Sequence, residues 1–326
     1  MGKNILSIDI GGTKFSLALC AADGVILDRR SYPTNTAGGA RWMVEEIYRI
    51  GSELIAGSSS PVVACGIGFG GPVDFYRQII NRSIHVHGWS ELPLARLISE
   101  RFQIPAILDN DANAAALGEV RFGAARGCSN IVYLTVSTGI GGGIIIGGDI
   151  YHGSRSYAGE CGHITVLTDG APQCSCGKRG CLEALCSGAS IGARARAAAQ
   201  ASPESAARLL AMAGNRPENI TAKLVFDMAG EGDEFASGLV KQVCSYLGLG
   251  VATFINLFDP EMVVIGGGVS KAGATLFEPL KQEIEKHVMP IHSGQLKCVK
   301  AALEDDSVLL GAVALANRLI ERQRQT

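Results

Sequence analysis

The sequence predicts an α/β protein in two lobes, each joining an antiparallel strand meander to parallel-type strand and helix units. Three observations predict it. A succession of strand, glycine turn, strand, turn, strand opens the chain and occurs again from residue 130. Behind each meander, apolar runs of strand length alternate with stretches of helical period. The length of 326 residues corresponds to about two domains at ~150 residues each.

Residues 4–10 form the first β-rich run, which Gly11 and Gly12 break. The run resumes over 15–21, Asp23-Gly24 turns the chain, and 25–31 returns, giving three antiparallel strands. Met43, Ile47, Ile50 and Leu54 give 39–56 a helical face. A buried strand over 61–69 ends in glycines, and a helix over 94–102, a strand over 104–108 and a helix over 112–120 follow. The second passage reads as a strand over 130–136, a glycine turn over 138–143, a strand over 144–146, a turn over 147–149 and the pair Ile150-Tyr151. The two passages share topology more than residues, which points to an internal duplication. After a glycine- and cysteine-rich insert over 159–187 come helices over 190–213, 220–229 and 234–258. A strand over 262–265 runs into Gly266-Gly267-Gly268, and helices over 277–287 and 308–322 complete the series. No low-complexity linker marks a boundary, which is placed near residue 118.

Composition narrows the function classes. Lys and Arg number 29 against 31 Asp and Glu, so no basic excess favours nucleic acid or an anionic membrane surface. The 42 glycines are roughly twice the usual ~7% share, which points to tight turns and to loops that wrap a ligand. The start MGKNILSIDIGGTK reaches a glycine turn before any long apolar run, so no secretory signal is expected. No run of about 18 apolar residues occurs, so no membrane span is expected either. Ten cysteines in a chain expected to be cytoplasmic stay reduced and read as buried small residues or metal ligands.

Three glycine loops stand at strand ends: Gly11-Gly12-Thr13-Lys14, then Gly139 to Gly143 after Ser137-Thr138, then Gly266 to Gly268. Glycine lets successive backbone N–H groups converge on one anion, and Thr13 and Lys14 add donors. One such loop alone reads as a tight turn, but three together with Asp9 favour a phosphate-bearing ligand. The first is not a Walker loop, since the spacing to Lys14 is wrong and no helix follows. Gly66-Ile67-Gly68-Phe69-Gly70-Gly71 matches G-x-G-x-x-G in form, yet Pro72 follows where a dinucleotide fold opens a helix, so that reading is rejected.

His163, Cys174, Cys176 and Cys181 make a complete tetrahedral zinc set, with Gly177 and Gly180 free to fold the thiols inward. Four protein ligands leave no open position, so such a metal is structural. Cys161 and Cys186 flank the set and, with Cys20, Cys65, Cys128, Cys244 and Cys298, read as buried filler. In Asp109-Asn110-Asp111-Ala112-Asn113, four amide and carboxyl side chains exceed what helix capping uses. A carboxylate there can accept a proton from a substrate hydroxyl while an adjacent Asn holds another hydroxyl. Glu160 and His163 stand at the edge of the cysteine loop, where carboxylate and imidazole suit vicinal hydroxyls; the second ring nitrogen of His163 stays available to a substrate. Glu183 reads either as a sugar contact or as an exposed charge at a helix start. His85, His87, His152, His287 and His292 show no partner pattern and read as surface or loop residues.

On these residues the chain resembles the ROK family of sugar kinases, within the actin–hexokinase superfamily. The resemblance rests on Ile8-Asp9-Ile10-Gly11-Gly12-Thr13-Lys14, Gly70-Gly71-Pro72-Val73, Asn110-Asp111-Ala112-Asn113 and Thr138-Gly139-Ile140-Gly141-Gly142-Gly143. It rests also on Gly159-Glu160-Cys161-Gly162-His163 and on the cysteine loop ending Cys181-Leu182-Glu183. It implies a two-lobed actin-like, ribonuclease H-like ATPase fold closing over a cleft. The smaller lobe would be 1–118 with a returning C-terminal helix in 308–326, and 119–307 would form the larger, zinc-bearing lobe. It implies an ATP-dependent hexose kinase, most simply one transferring the γ-phosphate of ATP to the 6-hydroxyl of glucose, with Asp111 as general base. Gly71, Asn110, Asp111, Glu160, His163 and Glu183 would bind the sugar. Gly11, Gly12, Thr13 and Lys14, then Thr138 and Gly139, then Gly266 and Gly267 would bind ATP, and Asp9 would help place Mg²⁺ through water. His163, Cys174, Cys176 and Cys181 would hold structural Zn²⁺, and a homodimer is implied.

Within that class, N-acetylmannosamine, N-acetylglucosamine, fructose or allose kinases are the alternatives, separated by contacts the sequence does not reveal. The family also holds sugar-sensing regulators with an N-terminal helix-turn-helix; the first phosphate-loop strand begins near residue 4, so a regulator is the less expected reading here.

Overall fold

Asn4–Ile10 (β1) is buried along nearly its whole length, as expected of a strand covered on both faces. In the computed structural model, which describes residues 2–81, 88–295 and 297–324, it is the centre of a five-stranded sheet. His85 and His87 lie outside the described residues. After β1 come Lys14–Ala21 (β2), Ile26–Pro33 (β3), helix Gly39–Ala56 (α1), Val62–Phe69 (β4) and a small hairpin, Val73–Asp74 (β5) with Ile79–Ile80 (β6). Then follow Leu94–Phe102 (α2), Ala106–Asn110 (β7) and Asp111–Phe122 (α3). The sheet order is β3-β2-β1-β4-β7, with β1, β4 and β7 parallel and β2 and β3 antiparallel.

A second sheet follows from Ile131–Val136 (β8), Ile140–Ile146 (β9) and Asp149–Ile150 (β10). Helices Leu182–Cys186 (α4), Gly188–Ala201 (α5), Ala207–Met212 (α6), Ala222–Gly230 (α7) and Glu234–Phe258 (α8) come next. Met262–Gly266 (β11), Ala274–Glu285 (α9), Cys298–Lys300 (β12) and Ser307–Gln323 (α10) complete the described elements. The order β10-β9-β8-β11-β12 repeats that of the first sheet position by position, with β8, β11 and β12 parallel. The duplication is therefore one of topology.

The chain divides into two compact units. One comprises Met1–Ser129, Gly143–Gly159 and Ala302–Thr326, the other Asn130–Gly142 and Glu160–Ala301. In the first, strand periodicity sorts side chains by size. Leu6, Ile8, Leu17, Leu19 and Ile67 face α1 and α2, against Met43, Ile47, Ile50, Leu94 and Ile98. Ile5, Ala18, Cys20 and Ala64 face α10, against Leu309, Val313 and Ala316. That second face is lined mostly by small residues, so α10 lies almost backbone to backbone on the sheet: a Cβ on Gly66 would fall inside the Ala312 carbonyl oxygen. On the other side of α10, a Cβ on Gly311 would strike the carbonyl of Ala114 in α3. Buried Glu119, near the end of α3, accepts from the N–H groups of Ala124 (2.7 Å), Ala302 (3.1 Å) and Leu303 (3.0 Å) and from the Ser307 hydroxyl (3.3 Å).

The second unit buries α8 among β8, β11 and its sister helices. Among the described residues this is the one helix long and apolar enough to cross a membrane by length and composition. Val240, Val243, Leu247, Val251, Phe254 and Ile255 of its apolar set are packed in that core.

Several boundaries differ from the sequence reading. Residues 140–143, read as turn, belong to β9, because a bare glycine backbone is needed there: a Cβ on Gly143 would come 2.6 Å from the Ala112 carbonyl of α3. The helix read over 190–213 is two helices, α5 and α6, since Pro203 keeps Ser202 out of helical backbone. Strand β7 extends to Asn110, so Asp109 and Asn110 lie in sheet rather than in the following turn. The two-residue strands β5 and β6, the three-residue β12 and the five-residue α4 are too short to show a period.

Gly311→Ala is expected to lower the unfolding free energy by about 3 kcal/mol, the range of a forced overpacking against backbone. Gly12→Ala, with nothing within 4 Å of the added carbon, should cost less than ~1 kcal/mol. Urea titration of the two variants checks the contrast.

Candidate active site

Parallel strands deliver their C-terminal ends to one edge of a sheet, which is where α/β proteins bind ligands. In the first unit the register places Asp9 of β1 opposite Gly68 of β4, and Gly68 opposite Asp109 of β7. One residue further, Ile10, Phe69 and Asn110 share the next row. The predicted residues of this unit therefore collect at one edge. Gly11 to Lys14 form a closed turn in which the Gly11 N–H donates to the Lys14 carbonyl (3.0 Å), with Gly12, Thr13 and Lys14 exposed. Gly70 anchors to the end of β1 by donating to the Ile10 carbonyl (2.8 Å).

Asn110 is the N-cap of α3: its Oδ1 accepts from the N–H groups of Ala112 (2.9 Å) and Asn113 (3.3 Å), while Nδ2 donates to the Gly71 carbonyl (3.2 Å). Asp111 opens the helix, where a carboxylate is favoured by the exposed N–H groups. Its Oδ1 accepts from Ala112 N–H (2.8 Å), and its Oδ2 faces Gly70, 3.4 Å from where a Cβ would stand. The Asp111 carboxylate is thus half-buried at the strand edge and is not sunk in the core. Burial, and then the charge of Asp111, push Asp9 up to about 7, with Lys14 and Arg29 pulling the other way. Two carboxylates held this close in a poorly hydrated place favour a cation or a shared proton.

In the second unit the loops after β8 and β11 also meet. Gly266 pairs with Thr135, and Gly267 adopts φ +82°, a left-handed backbone that brings it against Val136: a Cβ there would lie 2.5 Å from the Val136 carbonyl. Thr138 and Gly139 form the tip of the neighbouring turn, closed by the Ser137 N–H donating to the Gly139 carbonyl (2.9 Å). Glu183, at the start of α4, is half-buried beneath that tip. Its Oε2 accepts from Ile140 N–H (2.9 Å) and its Oε1 from the Ser175 hydroxyl (2.9 Å).

The donor atoms of His163, Cys174, Cys176 and Cys181 all lie within 4.8 Å of one another. Cys176 and Cys181 sulfurs are 3.7 Å apart, and the Cys174 sulfur is 3.6 Å from His163 Nδ1. Zinc–sulfur bonds of ~2.3 Å put the corners of a tetrahedron ~3.8 Å apart, and a nitrogen corner slightly closer, so the donors fit zinc. The Lys178 backbone N–H draws the Cys176 thiol below its ordinary value, toward the ligating thiolate. A small knuckle holds the loop: Cys174 N–H donates to Lys178 O (2.7 Å), Gly177 N–H to Cys174 O (3.0 Å) and Gly180 N–H to Pro172 O (3.0 Å). With Nδ1 turned to the sulfurs, His163 Nε2 points outward, 3.8 Å from Glu160 Oε2. Cys20, Cys65, Cys161, Cys186, Cys244 and Cys298 are buried, and Cys128 is half-buried.

Two residues escaped the sequence reading. His152, read as a surface or loop residue, is in a loop but is not on the surface: its ring is 9% exposed and lies 2.7 Å from the carboxylate of Asp109, itself 1% exposed. Its partner stands 43 positions earlier, and no local pattern marks such a pair. Ser175, between two cysteines, carries no signal beyond its position. His287 is exposed as expected, and His292 is 3.5 Å from Asp259.

The ROK family model matches residues 5–319. A glucokinase of Halalkalibacterium halodurans is 37% identical over 309 residues, covering 94% of this chain and 92% of its own. A glucokinase of Thermotoga maritima is 37% identical over 316 residues, covering 97% and 98%. Among solved structures, a ROK family glucokinase from Streptomyces griseus in complex with glucose and AMPPNP superposes with a TM-score of 0.82 at 33% identity, over 97% of this chain and 99% of that one. With the family model spanning nearly the whole chain and the strand-edge carboxylates, glycine loops and cysteine knuckle all formed, this chain belongs to the ROK family.

Proposed function

We propose that the chain is an ATP-dependent hexose kinase that transfers the γ-phosphoryl group of ATP to the 6-hydroxyl of glucose, with Asp111 as general base. The observation that carries it is the Asp111 carboxylate. One oxygen is held by its own helix, and the other is turned to the glycines at the end of β4, beside Asp9. The glucose and AMPPNP bound in the Streptomyces griseus glucokinase structure support the substrate pair.

In this reading Asp111 Oδ2 takes the 6-hydroxyl proton as that oxygen bonds to the γ-phosphorus, and the bond from phosphorus to the bridging oxygen breaks to release ADP. Phosphoryl transfer passes through a loose transition state, so the remaining residues align and neutralise. Asn110 and the Gly71 backbone hold the sugar beside the base. Glu160 and His163 Nε2, 3.8 Å apart, suit two vicinal hydroxyls, and Glu183 adds acceptor oxygens fixed by Ile140 and Ser175. Backbone N–H groups of Gly11 to Lys14, Thr138-Gly139 and Gly266-Gly267 receive the phosphates and adenosine. The crowded Asp9 and Asp111 carboxylates fit a divalent cation, and Asp9 would hold Mg²⁺ through water; bound Mg²⁺ supplies positive charge to the phosphate oxygens. Zinc on His163, Cys174, Cys176 and Cys181 would stiffen the loop that carries Glu160, His163 and Glu183. The reading includes a cytoplasmic homodimer.

Asp111→Asn is expected to lower kcat by about 10³-fold with the thermal midpoint unchanged, in a coupled ADP assay over glucose, mannose, fructose, allose and the two N-acetylhexosamines. Near-normal turnover removes Asp111 as base. Elemental analysis should find zinc in the purified protein and none in Cys176→Ser, whose KM for glucose should rise while that for ATP holds; wild-type protein free of zinc refutes the metal. In metal-free buffer, stability depends on pH through Asp9. Its folded pKa lies above the ordinary carboxylate value of 3.8, so its contribution to stability is full below pH 4 and is lost as pH rises through 7. Asp9→Asn should therefore gain on wild type by about 4 kcal/mol between pH 4 and pH 8, and the gap should close toward pH 4.

A further inference from the structure

The segment Gly143–Gly159 belongs to the first unit, and within it the His152 side chain is only 9% exposed. The imidazole is clamped flat. It stacks on Phe75 with ring centroids 3.7 Å apart and planes within 12°, and the Tyr76 ring closes its edge at 6.2 Å. The backbone on both sides is tied as well: Tyr151 N–H donates to Ile144 O (2.8 Å), Tyr76 hydroxyl to Gly153 O (3.1 Å) and Ala158 N–H to His152 O (3.1 Å). Held in this way, Nε2 reaches Asp109 Oδ2 at 2.7 Å.

Asp109 is the last residue of β7 before the pair that the proposed reaction uses. Its other oxygen, Oδ1, accepts from Asn110 N–H (2.7 Å) and from Asn113 Nδ2 (3.0 Å). One carboxylate therefore fixes the peptide that enters Asn110 and the side chain one turn into α3, on either side of Asp111. A buried carboxylate keeps such a posture only while each oxygen has a donor, because an unsatisfied one costs the full desolvation of that group. Among the described residues, the donor recorded for Oδ2 is His152. Without it, Asp109 is driven to turn toward solvent or toward another donor, and both of its other bonds loosen together.

The geometry points to His152 as a positioning residue for phosphoryl transfer: through Asp109 it sets where Asn110 and Asp111 stand at the head of α3. It touches neither substrate nor the reacting atoms. Its effect is on rate because a general base about 1 Å out of line loses on the order of 10²-fold, whereas sugar binding, spread over many hydroxyl contacts, tolerates the same shift. Phe75 contributes by holding the ring plane. This rests on the reading of Asp111 as base in a hexose kinase.

Steady-state kinetics of the full chain with glucose and ATP test it, beside thermal melts. His152→Ala should lose kcat by about 30- to 100-fold, with KM for glucose and for ATP within about threefold of wild type. His152→Gln, whose amide N–H can reach the same oxygen, should recover at least a tenth of wild-type kcat. Imidazole added to His152→Ala should raise its kcat in a saturable way. Wild-type kcat in His152→Ala overturns the proposal. So does a loss of kcat that neither His152→Gln nor imidazole restores, or a loss matched by the unfolded fraction. If wild-type protein phosphorylates none of the hexoses, the kinase reading fails first; if it does and His152→Ala equals it, the positioning role alone fails.

Discussion

The closeness with which α10 lies on β4 and α3 governs the first unit. Helices normally pack 8–10 Å apart because side chains keep them so. Here Gly66, Gly68, Gly118 and Gly311 remove those side chains, and Ala114, Ala312 and Ala316 keep the rest small. Dispersion contacts between backbones replace the usual interdigitation of large side chains. The consequence reaches the chemistry: α3 is held along its length, so its first residue, Asp111, has a fixed place at the strand edge. Glu119 secures the other end of the same helix by gathering four donors, three of them from the segment that leads into α10.

Four carboxylates of this unit illustrate how environment divides one chemical group into different tasks. Glu119 is fully buried and satisfied by four donors, which makes it a strut. Asp109 is buried too, but its donors belong to residues whose position matters for the site, so it transmits placement. Burial, and then the charge of Asp111, push Asp9 up to about 7, so a carboxyl beside the strand edge is held above its ordinary range. Asp111 accepts from its own helix at Oδ1, while its Oδ2 faces Gly70 at the strand edge.

The second unit uses a different device. A loop too short to have a core is shaped by backbone hydrogen bonds at Cys174, Gly177 and Gly180, and the donor atoms of His163, Cys174, Cys176 and Cys181 lie within 4.8 Å of one another. The same loop offers the Ser175 hydroxyl to Glu183, and Glu183 in turn accepts from Ile140 beside the Thr138-Gly139 turn. Cysteine loop, carboxylate and glycine turn are thus joined by consecutive hydrogen bonds.

What the sequence by itself determined is local. Apolar period 2 and 3.6 placed the meanders and located α1, α2 and α8 to the residue, and the spacing of His163, Cys174, Cys176 and Cys181 marked the residues whose donor atoms the fold brings together. The Asp109 to Asn113 run was legible as more than a cap because its polar density exceeds what capping uses. Tertiary structure alone decided what depends on register and on residues far apart. The pairing of Asp109 with His152 is such a case, as are Glu119 gathering the segment at 302–307 and a glycine run serving as strand rather than turn where backbone meets α3. The reason is physical: short-range spacing is set by bond geometry and read along the chain, whereas a donor's partner across the fold is chosen only once strands are in register and helices have settled at their packing distance.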